Sequence, residues 1–302
     1  MDVVFAVNQA FFRPLIVAIV SLLENNKTNN IVIHILYMDL GENEKQTLRG
    51  VVEKYLTEVR FYQISPAQLR NFPNPGMYSL ASYFRLLIPA ILDERINRVL
   101  YLDCDLIING DLKDLWNTDI QDYSVAAVSD TTLSHSIIKD YIDYDFRREG
   151  YFNSGVLVIN LKYWREHSVQ ESLSSYLVNH QTKLNDQDAL NSVLHGTAKF
   201  IHPKWNCHTG YFAYPPLVIT EQKKYIKYLW AGARIIHFTG PVKPWYKECV
   251  NPYKSFYKKY EALTPWGITP DRFLEKNVWA SRRIIFLRKC KNVVARLASY
   301  IY

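Results

Sequence analysis

Glycine is scarce in this chain, with 11 in 302 residues, and nowhere does it cluster into G-x-G-x-x-G or G-x-x-x-x-G-K-[ST]. That excludes the dinucleotide fingerprint and the Walker loop, so any nucleotide is held by other means. The four cysteines, Cys104, Cys207, Cys249 and Cys290, stand far apart and form no CxxC pair. Neither a zinc site nor a disulfide framework is expected, and reduced cytoplasmic thiols are. Long apolar runs are missing too: the most apolar stretch, 15–23, is too short to span a bilayer as a helix. Met1-Asp2-Val3-Val4-Phe5-Ala6 has no basic region ahead of such a run, so no secretory signal is expected. The sequon Asn26-Lys27-Thr28 then carries no meaning. Most of the chain also lacks an excess of either charge. Of the net +7, residues 271–302 supply +6, from eight Lys/Arg and two acids. A protein that grips nucleic acid with a whole face would not be so nearly neutral elsewhere, and no nucleic-acid partner is expected.

What is present is globular: 48% hydrophobic and 22% charged, enough for a large core and one or two domains. The 22 Tyr and 7 Trp suit sugar stacking or a membrane interface, though core packing also uses them. Residues 3–7 read as a buried strand, Asn8-Gln9-Ala10 as a polar turn and 11–24 as a helix, which opens either a nucleotide-binding α/β unit or an ordinary strand–helix unit. Strands over 30–37 and 59–64 flank a helix over 42–55, and this alternation predicts a mainly parallel sheet. A helix over 82–92 carries Arg85, a surface charge or a bidentate partner for phosphate. A short helical turn over 112–116 and a strand over 124–128, ending at Asp130, follow.

The chemistry gathers at Leu100-Tyr101-Leu102-Asp103-Cys104-Asp105, an apolar strand that runs into two carboxylates. On extended chain the side chains of i and i+2 share a face. Aligned carboxylates beside apolar surface repel each other and lose hydration, and a hard divalent cation relieves both. The alternative is a solvated acidic turn. Downstream, Asn153-Ser154-Gly155 precedes an apolar strand, where the Asn153 amide either meets a bound hydroxyl or only makes a turn. Asn185-Asp186-Gln187-Asp188 looks like a helix start, which acids stabilise whether or not they function. In 233–245 a strand delivers His237, then the Gly240 turn, then Lys243 between prolines. Imidazole is a common metal ligand and lysine a point charge for phosphate.

Phe5-Ala6, Ser82-Tyr83-Phe84-Arg85, the Asp-Cys-Asp segment, Tyr151-Phe152-Asn153-Ser154-Gly155, Asn185-Asp186-Gln187-Asp188 and His237-Phe238-Thr239-Gly240-Pro241-Val242-Lys243-Pro244-Trp245 lie in one order over residues 1–260. In these the chain resembles the family 8 glycosyltransferases, the retaining, nucleotide-sugar-dependent group that includes bacterial lipopolysaccharide galactosyl- and glucosyltransferases. The resemblance implies a GT-A fold, a mixed α/β sheet with helices on both sides. It implies Mn2+ (or Mg2+) on Asp103, Asp105 and His237, bridging the diphosphate of a UDP-hexose. By position, Ala6, Asn8 and Phe11 would meet uridine, and Cys104 lies within the metal segment. Gly240 and Lys243 would meet the diphosphate, and Arg85, Asp130, Asn153, Ser154, Asp186 and Gln187 would surround the sugar. The family's usual acid in the first turn is replaced here by Asn8-Gln9. Retention leaves two routes open: a covalent intermediate on Asp186 or Asp188, beside Gln187, or same-face attack. The expected acceptor is a surface glycan, glycolipid or glycoprotein.

Thr264-Pro265-Trp266-Gly267 marks a boundary, so the expected division is a catalytic domain over 1–263 and a basic segment over 264–302. On a helical wheel Phe286, Leu287, Cys290, Val293, Val294, Leu297, Ala298 and Ile301 share one side and the cations fall outside it. An interfacial helix is expected, holding residues 271–302 to an anionic membrane surface on the cytoplasmic side. Two other classes compete. An apolar strand before Asp-x-Asp also opens haloacid dehalogenase-type phosphatases, but Leu106-Ile107 follows here and no later metal motif fits. A non-catalytic, membrane-peripheral sugar-binding module would keep the fold and lose the activity.

Overall fold

A computed structural model of the chain describes residues 1–76, 79–130, 138–213, 228, 229 and 232–273. Four strands, β1 (Asp2–Val7), β2 (Val32–Tyr37), β3 (Glu58–Gln63) and β4 (Arg98–Leu102), lie parallel in the order β3-β2-β1-β4. The sheet continues through β7 (Phe152–Asn160) and β6 (Val125–Ser129) to β8 (Ala198–Phe200), making seven strands. Parallel order holds except at β7, which runs antiparallel to both β4 and β6. The Asp130 N–H donates to the Tyr151 carbonyl at 2.8 Å. The chain therefore leaves β6 and re-enters β7 at the same edge, and a strand that returns that way must be antiparallel. Asn153 and Gly155 form no turn but belong to this strand, one residue of which is half-buried and the rest buried.

Helix α1 (Phe12–Asn25) accounts for the most apolar stretch of the sequence: every residue from Pro14 to Leu23 is buried. A helix apolar nearly all round belongs inside a core. It follows a single 3-10 turn, Gln9–Phe11, whose N-cap is the Asn8 side chain. Residues 80–87 also form a 3-10 helix, followed by one α turn at Ile88–Ile91, where a longer α-helix was expected. Pro89 lacks the N–H that an α-helix running through would use. Helices α2 (Glu42–Glu53), α3 (Val169–Asn179), α4 (Asp186–Leu194) and α5 (Lys254–Glu261) cover the faces. Two apolar cores flank the sheet.

A second, three-stranded sheet decides where the site lies. Its order is β5 (Leu106–Ile108), β10 (Ile235–His237), β9 (Cys207–His208). β10 pairs antiparallel with β5, and His237 stands opposite Leu106. Residues 103–105 are thus the bend by which the chain leaves one sheet for the other. Residues 264–272 lie on this body. Asp271 pairs with Lys254 at 2.6 Å and Lys258 at 2.7 Å, and the Arg272 N–H donates to the Trp245 carbonyl at 3.0 Å. The expected interfacial helix lies outside the described residues. Among those described, no helix is long and apolar enough to cross a membrane.

Candidate active site

The β5–β10 pairing carries His237 to the Asp pair across more than a hundred residues of chain. Ligand atoms of Asp103, Asp105 and His237 all lie within 4.8 Å of one another. His237 Nε2 is 3.2 Å from Asp105 Oδ1 and 3.7 Å from Asp103 Oδ2. On the far side of the ring, Nδ1 is 3.0 Å from Asn206 Oδ1. Two carboxylates and one imidazole nitrogen converging in a partly buried pocket make a donor set that suits a borderline-hard divalent ion such as Mn2+. Gly155 leaves room for these side chains: a Cβ there would overlap the His237 ring and come within 2.7 Å of Asp103 Oδ2.

Two cations flank the carboxylates. Lys243 Nζ pairs with Asp105 Oδ2 and donates to the Phe238 carbonyl at 2.9 Å. Burial would raise the Asp105 carboxyl, but opposing charge, that of Lys243 foremost, holds the group well below the usual carboxylate range. Arg85 is the second cation, 5% exposed. Its Nη2 donates to Asp103 Oδ1 at 2.9 Å, its Nε lies 3.2 Å from Asp186 Oδ2, and its Nη1 donates to the Ser154 carbonyl at 2.6 Å. The guanidinium lies over the Tyr101 ring at 4.4 Å, and the Tyr101 hydroxyl donates to Asp103 Oδ1 at 2.9 Å. Burial works against the Arg85 charge, yet Asp103 and Asp186 keep the group firmly protonated. Arg85 is therefore a buried bridge between two carboxylates and not a surface charge.

Beyond Arg85 the polar groups continue. Asp186 is buried, and burial pushes its carboxyl up to about 6 despite Arg85. Gln187 Oε1 accepts from the Ser154 N–H at 3.0 Å and from Asn153 Nδ2 at 3.2 Å. Its Nε2 donates to Asp130 Oδ2 at 3.1 Å, which Asn153 Nδ2 reaches at 3.2 Å. Asp188 differs from its neighbours. Its Oδ1 accepts from the Tyr151 hydroxyl at 2.6 Å, and its Oδ2 from the Lys183 and Leu184 N–H groups at 2.6 and 2.7 Å. Both oxygens thus hold the start of α4 in place.

Ten of the expected residues form this one connected network: Arg85, Asp103, Asp105, Asp130, Asn153, Ser154, Asp186, Gln187, His237 and Lys243. Cys104 joins it to β1, its thiol donating to the Ala6 carbonyl at 3.2 Å. Burial raises that thiol well above its ordinary value, so it stays protonated. Asn8 and Phe11 stand at the edge. Asn8 caps the first turn and donates to Ser79 Oγ at 2.8 Å, while Phe11 meets Trp245 edge-on at 5.8 Å. An acid does reach this turn, from beyond β2: Asp39 accepts from the Gln9 N–H at 3.0 Å. Gly240 holds φ +84, a left-handed conformation that glycine adopts freely. A separate cavity of about 290 Å³, lined by Gln9, Arg13, Trp245 and Tyr257 among others, includes none of the network residues. Sequence reading missed Tyr101, Tyr151 and Asn206: Tyr101 bonds Asp103 two residues on, whereas Tyr151 finds its partners in α4 and Asn206 in β7 and β10, far away in the chain.

Comparison with known proteins agrees with this geometry. The chain is 29% identical over 275 residues to general stress protein A of Bacillus subtilis, covering 88% of this chain and 95% of that one. It is 28% identical over 258 residues to a lipopolysaccharide 1,2-glucosyltransferase of Escherichia coli, covering 84% and 76%. The crystal structure of galactosyltransferase LgtC with donor and acceptor sugar analogs superposes with a TM-score of 0.79 at 25% identity, covering 90% of this chain and 98% of that one. The same fold, with an antiparallel β7 inside the sheet of this chain and three candidate metal ligands brought together where its two sheets meet, sets aside the phosphatase reading. Residues 2–249 match Glycosyl transferase family 8, and the chain belongs to that family of glycosyltransferases.

Proposed function

We propose that this glycosyltransferase takes a hexose, galactose or glucose, from a UDP-sugar and passes it with retention to a lipopolysaccharide, other surface-glycan or glycoprotein acceptor, and that it depends on Mn2+. The observation that carries the reading is the meeting of Asp103, Asp105 and His237 beside a buried hydrogen-bonding cluster. Asp103, Asp105 and His237 would hold the ion. When bound, it supplies Lewis-acid stabilisation of the charge that develops on the departing diphosphate. Lys243 adds a fixed positive charge next to it. Arg85 keeps Asp103 and Asp186 apart and correctly aimed, and Asp130, Asn153, Asp186 and Gln187 offer donors and acceptors to sugar hydroxyls. Ala6, Asn8 and Phe11 lie where β1 ends and would take the uridine.

Same-face attack is the favoured route. Asp188 has both oxygens engaged, Asp186 is paired with Arg85, and Gln187 is a poor nucleophile. The acceptor hydroxyl would bond to the anomeric carbon from the side that UDP leaves, and its proton would pass to the leaving phosphate oxygen. Titration of UDP by calorimetry, with and without Mn2+, tests the reading. Binding should tighten with Mn2+ in the wild type and lose that dependence in Asp105→Asn and His237→Ala. Metal-independent binding, or none, would favour a non-catalytic module. UDP release across a panel of UDP-sugars then names the donor. Residues 271–302 would hold the enzyme to the cytoplasmic face of an anionic membrane, near a lipid-linked acceptor.

A further inference from the structure

We infer that Asn206 is a positioning residue that sets the tautomer of His237, so that its Nε2 lone pair faces the two aspartates; this rests on the metal-site reading above. A chain of four hydrogen bonds, the first two with only one possible sense, leads to that conclusion. The Gly155 backbone N–H, which can only donate, meets Asn153 Oδ1 at 3.1 Å. Asn153 Nδ2 faces the Asp130 carboxylate, which fixes the amide from its other end. Asn153 Oδ1 therefore accepts, and the Asn206 atom 2.8 Å from it must be the Nδ2 donor. The remaining amide atom of Asn206 is then the oxygen, 3.0 Å from His237 Nδ1. A carbonyl oxygen can only accept, so a neutral His237 carries its proton on Nδ1.

The consequence lies on the other side of the ring. Nε2 is unprotonated and sits with Asp105 Oδ1 and Asp103 Oδ2, three electron pairs aimed at one point with no hydrogen among them. Without Asn206 the preference would reverse. Asp105 Oδ1, at 3.2 Å, would draw the proton to Nε2 and block the ligand position. Asn206 is itself held firmly. It is fully buried, it closes the 3-10 turn Pro203–Trp205, and its backbone bonds to Pro203 and His208 fix its position. The same relay continues through Asn153 to Gln187, so the orientation of the imidazole and that of the sugar-facing amide share a common anchor.

The test uses the full chain at mildly alkaline pH, above the range in which an ordinary imidazole is protonated. Long-range 1H–15N spectra of the metal-free protein, with His237→Ala for assignment, should show the Nδ1–H form in the wild type. Asn206→Leu removes the acceptor and should shift the population to Nε2–H. Its Mn2+ affinity by calorimetry should fall by about 10- to 100-fold. Asn206→Asp keeps an acceptor at Nδ1 and should restore the wild-type tautomer. An Nε2–H form in the wild type overturns the inference without recourse to any variant. So does an Nδ1–H form that survives in folded Asn206→Leu, or an Mn2+ affinity unchanged within about twofold, a small part of the loss that follows when a ligand histidine is deprived of its hydrogen-bond partner. Equal Mn2+ binding by wild type and His237→Ala would instead refute the metal site, while the spectra would still decide the role of Asn206.

Discussion

Asp186 shows how a single buried side chain opposes stability to function. Burial raises its carboxyl to about 6, Arg85 pulls it down and Asp103 adds to the rise. A carboxyl whose folded-state value is raised stabilises the fold in its protonated form. That contribution is complete below the unfolded value near 4 and is lost as pH rises through about 6. Asn is neutral throughout. Asp186→Asn should therefore melt like the wild type near pH 4 and be more stable at pH 7, by up to about 3 kcal/mol. Its transferase activity should fall by about tenfold or more if Asp186 meets the sugar as proposed, because a charged hydrogen-bond partner is then gone. Melting curves across this range decide the first half; a variant less stable than wild type at pH 7 would show that the Arg85 pairing outweighs desolvation. Gly155 is the opposite case, a residue whose value is the absence of a side chain. Gly155→Ala should displace the His237 ring, weaken Mn2+-dependent UDP binding by about 10- to 100-fold and destabilise the fold by about 1–3 kcal/mol through overpacking. Calorimetry and urea unfolding measure the two effects.

The second sheet depends on contacts with α1 as much as on its own short ladder. β5 is three residues long, and the Ile108 N–H donates at 2.9 Å to Ser21 Oγ, inside α1. Asn25 and Asn26, at the end of the same helix, bind the Ile108 carbonyl and the Leu112 N–H. Ser21→Ala orphans a buried N–H, which costs about 1–3 kcal/mol. The urea midpoint should fall by that amount with the slope unchanged; a loss below about 0.5 kcal/mol would mean that water or a shift of β5 replaces the hydroxyl. How far each element was legible follows from the range of its contacts. β1, β2, α1 and α2 carry their own hydrophobic period and were readable to within about two residues. The 3-10 helix over 80–87 was not, because its period is set by how Tyr83 and Phe84 pack and by Pro89. The direction of β7 was not either, since its residues read alike for parallel and antiparallel neighbours. At the site, Asp103, Asp105 and His237 stood out by type and by resemblance. Their convergence and the Asn206 contact arise from a β5–β10 register that joins segments far apart in the chain.

At the scale of the whole molecule, charge separates from fold. From residue 274 onward the sequence holds seven Lys/Arg and one acid, six of the seven net positive charges. The body before it is close to neutral, so the proposed attraction to an anionic surface is expected from the terminal segment. The place to cut is set by the contacts of 264–272 and not by the Pro-rich break at 264–270. Asp271 holds Lys254 and Lys258, and Arg272 pairs with the strand-like stretch at Trp245 to Lys247, where the Tyr246 N–H donates to the Lys243 carbonyl at 3.0 Å. Removal of 271–302 would leave Lys254 without its carboxylate, strip Lys258 of one of its two and free the Trp245 loop, so lost UDP binding could not be assigned to the membrane. A chain ending at residue 273 keeps both. It should lose binding to vesicles rich in anionic lipid while its Mn2+-dependent UDP affinity stays the same. For the full chain, vesicle binding should weaken steeply with salt, since each cation near the surface contributes about 1 kcal/mol and is screened beyond a Debye length. Co-sedimentation with anionic and with neutral vesicles at two salt concentrations reads this directly. Retention of the shortened chain on anionic vesicles would move the attachment to the body of the enzyme.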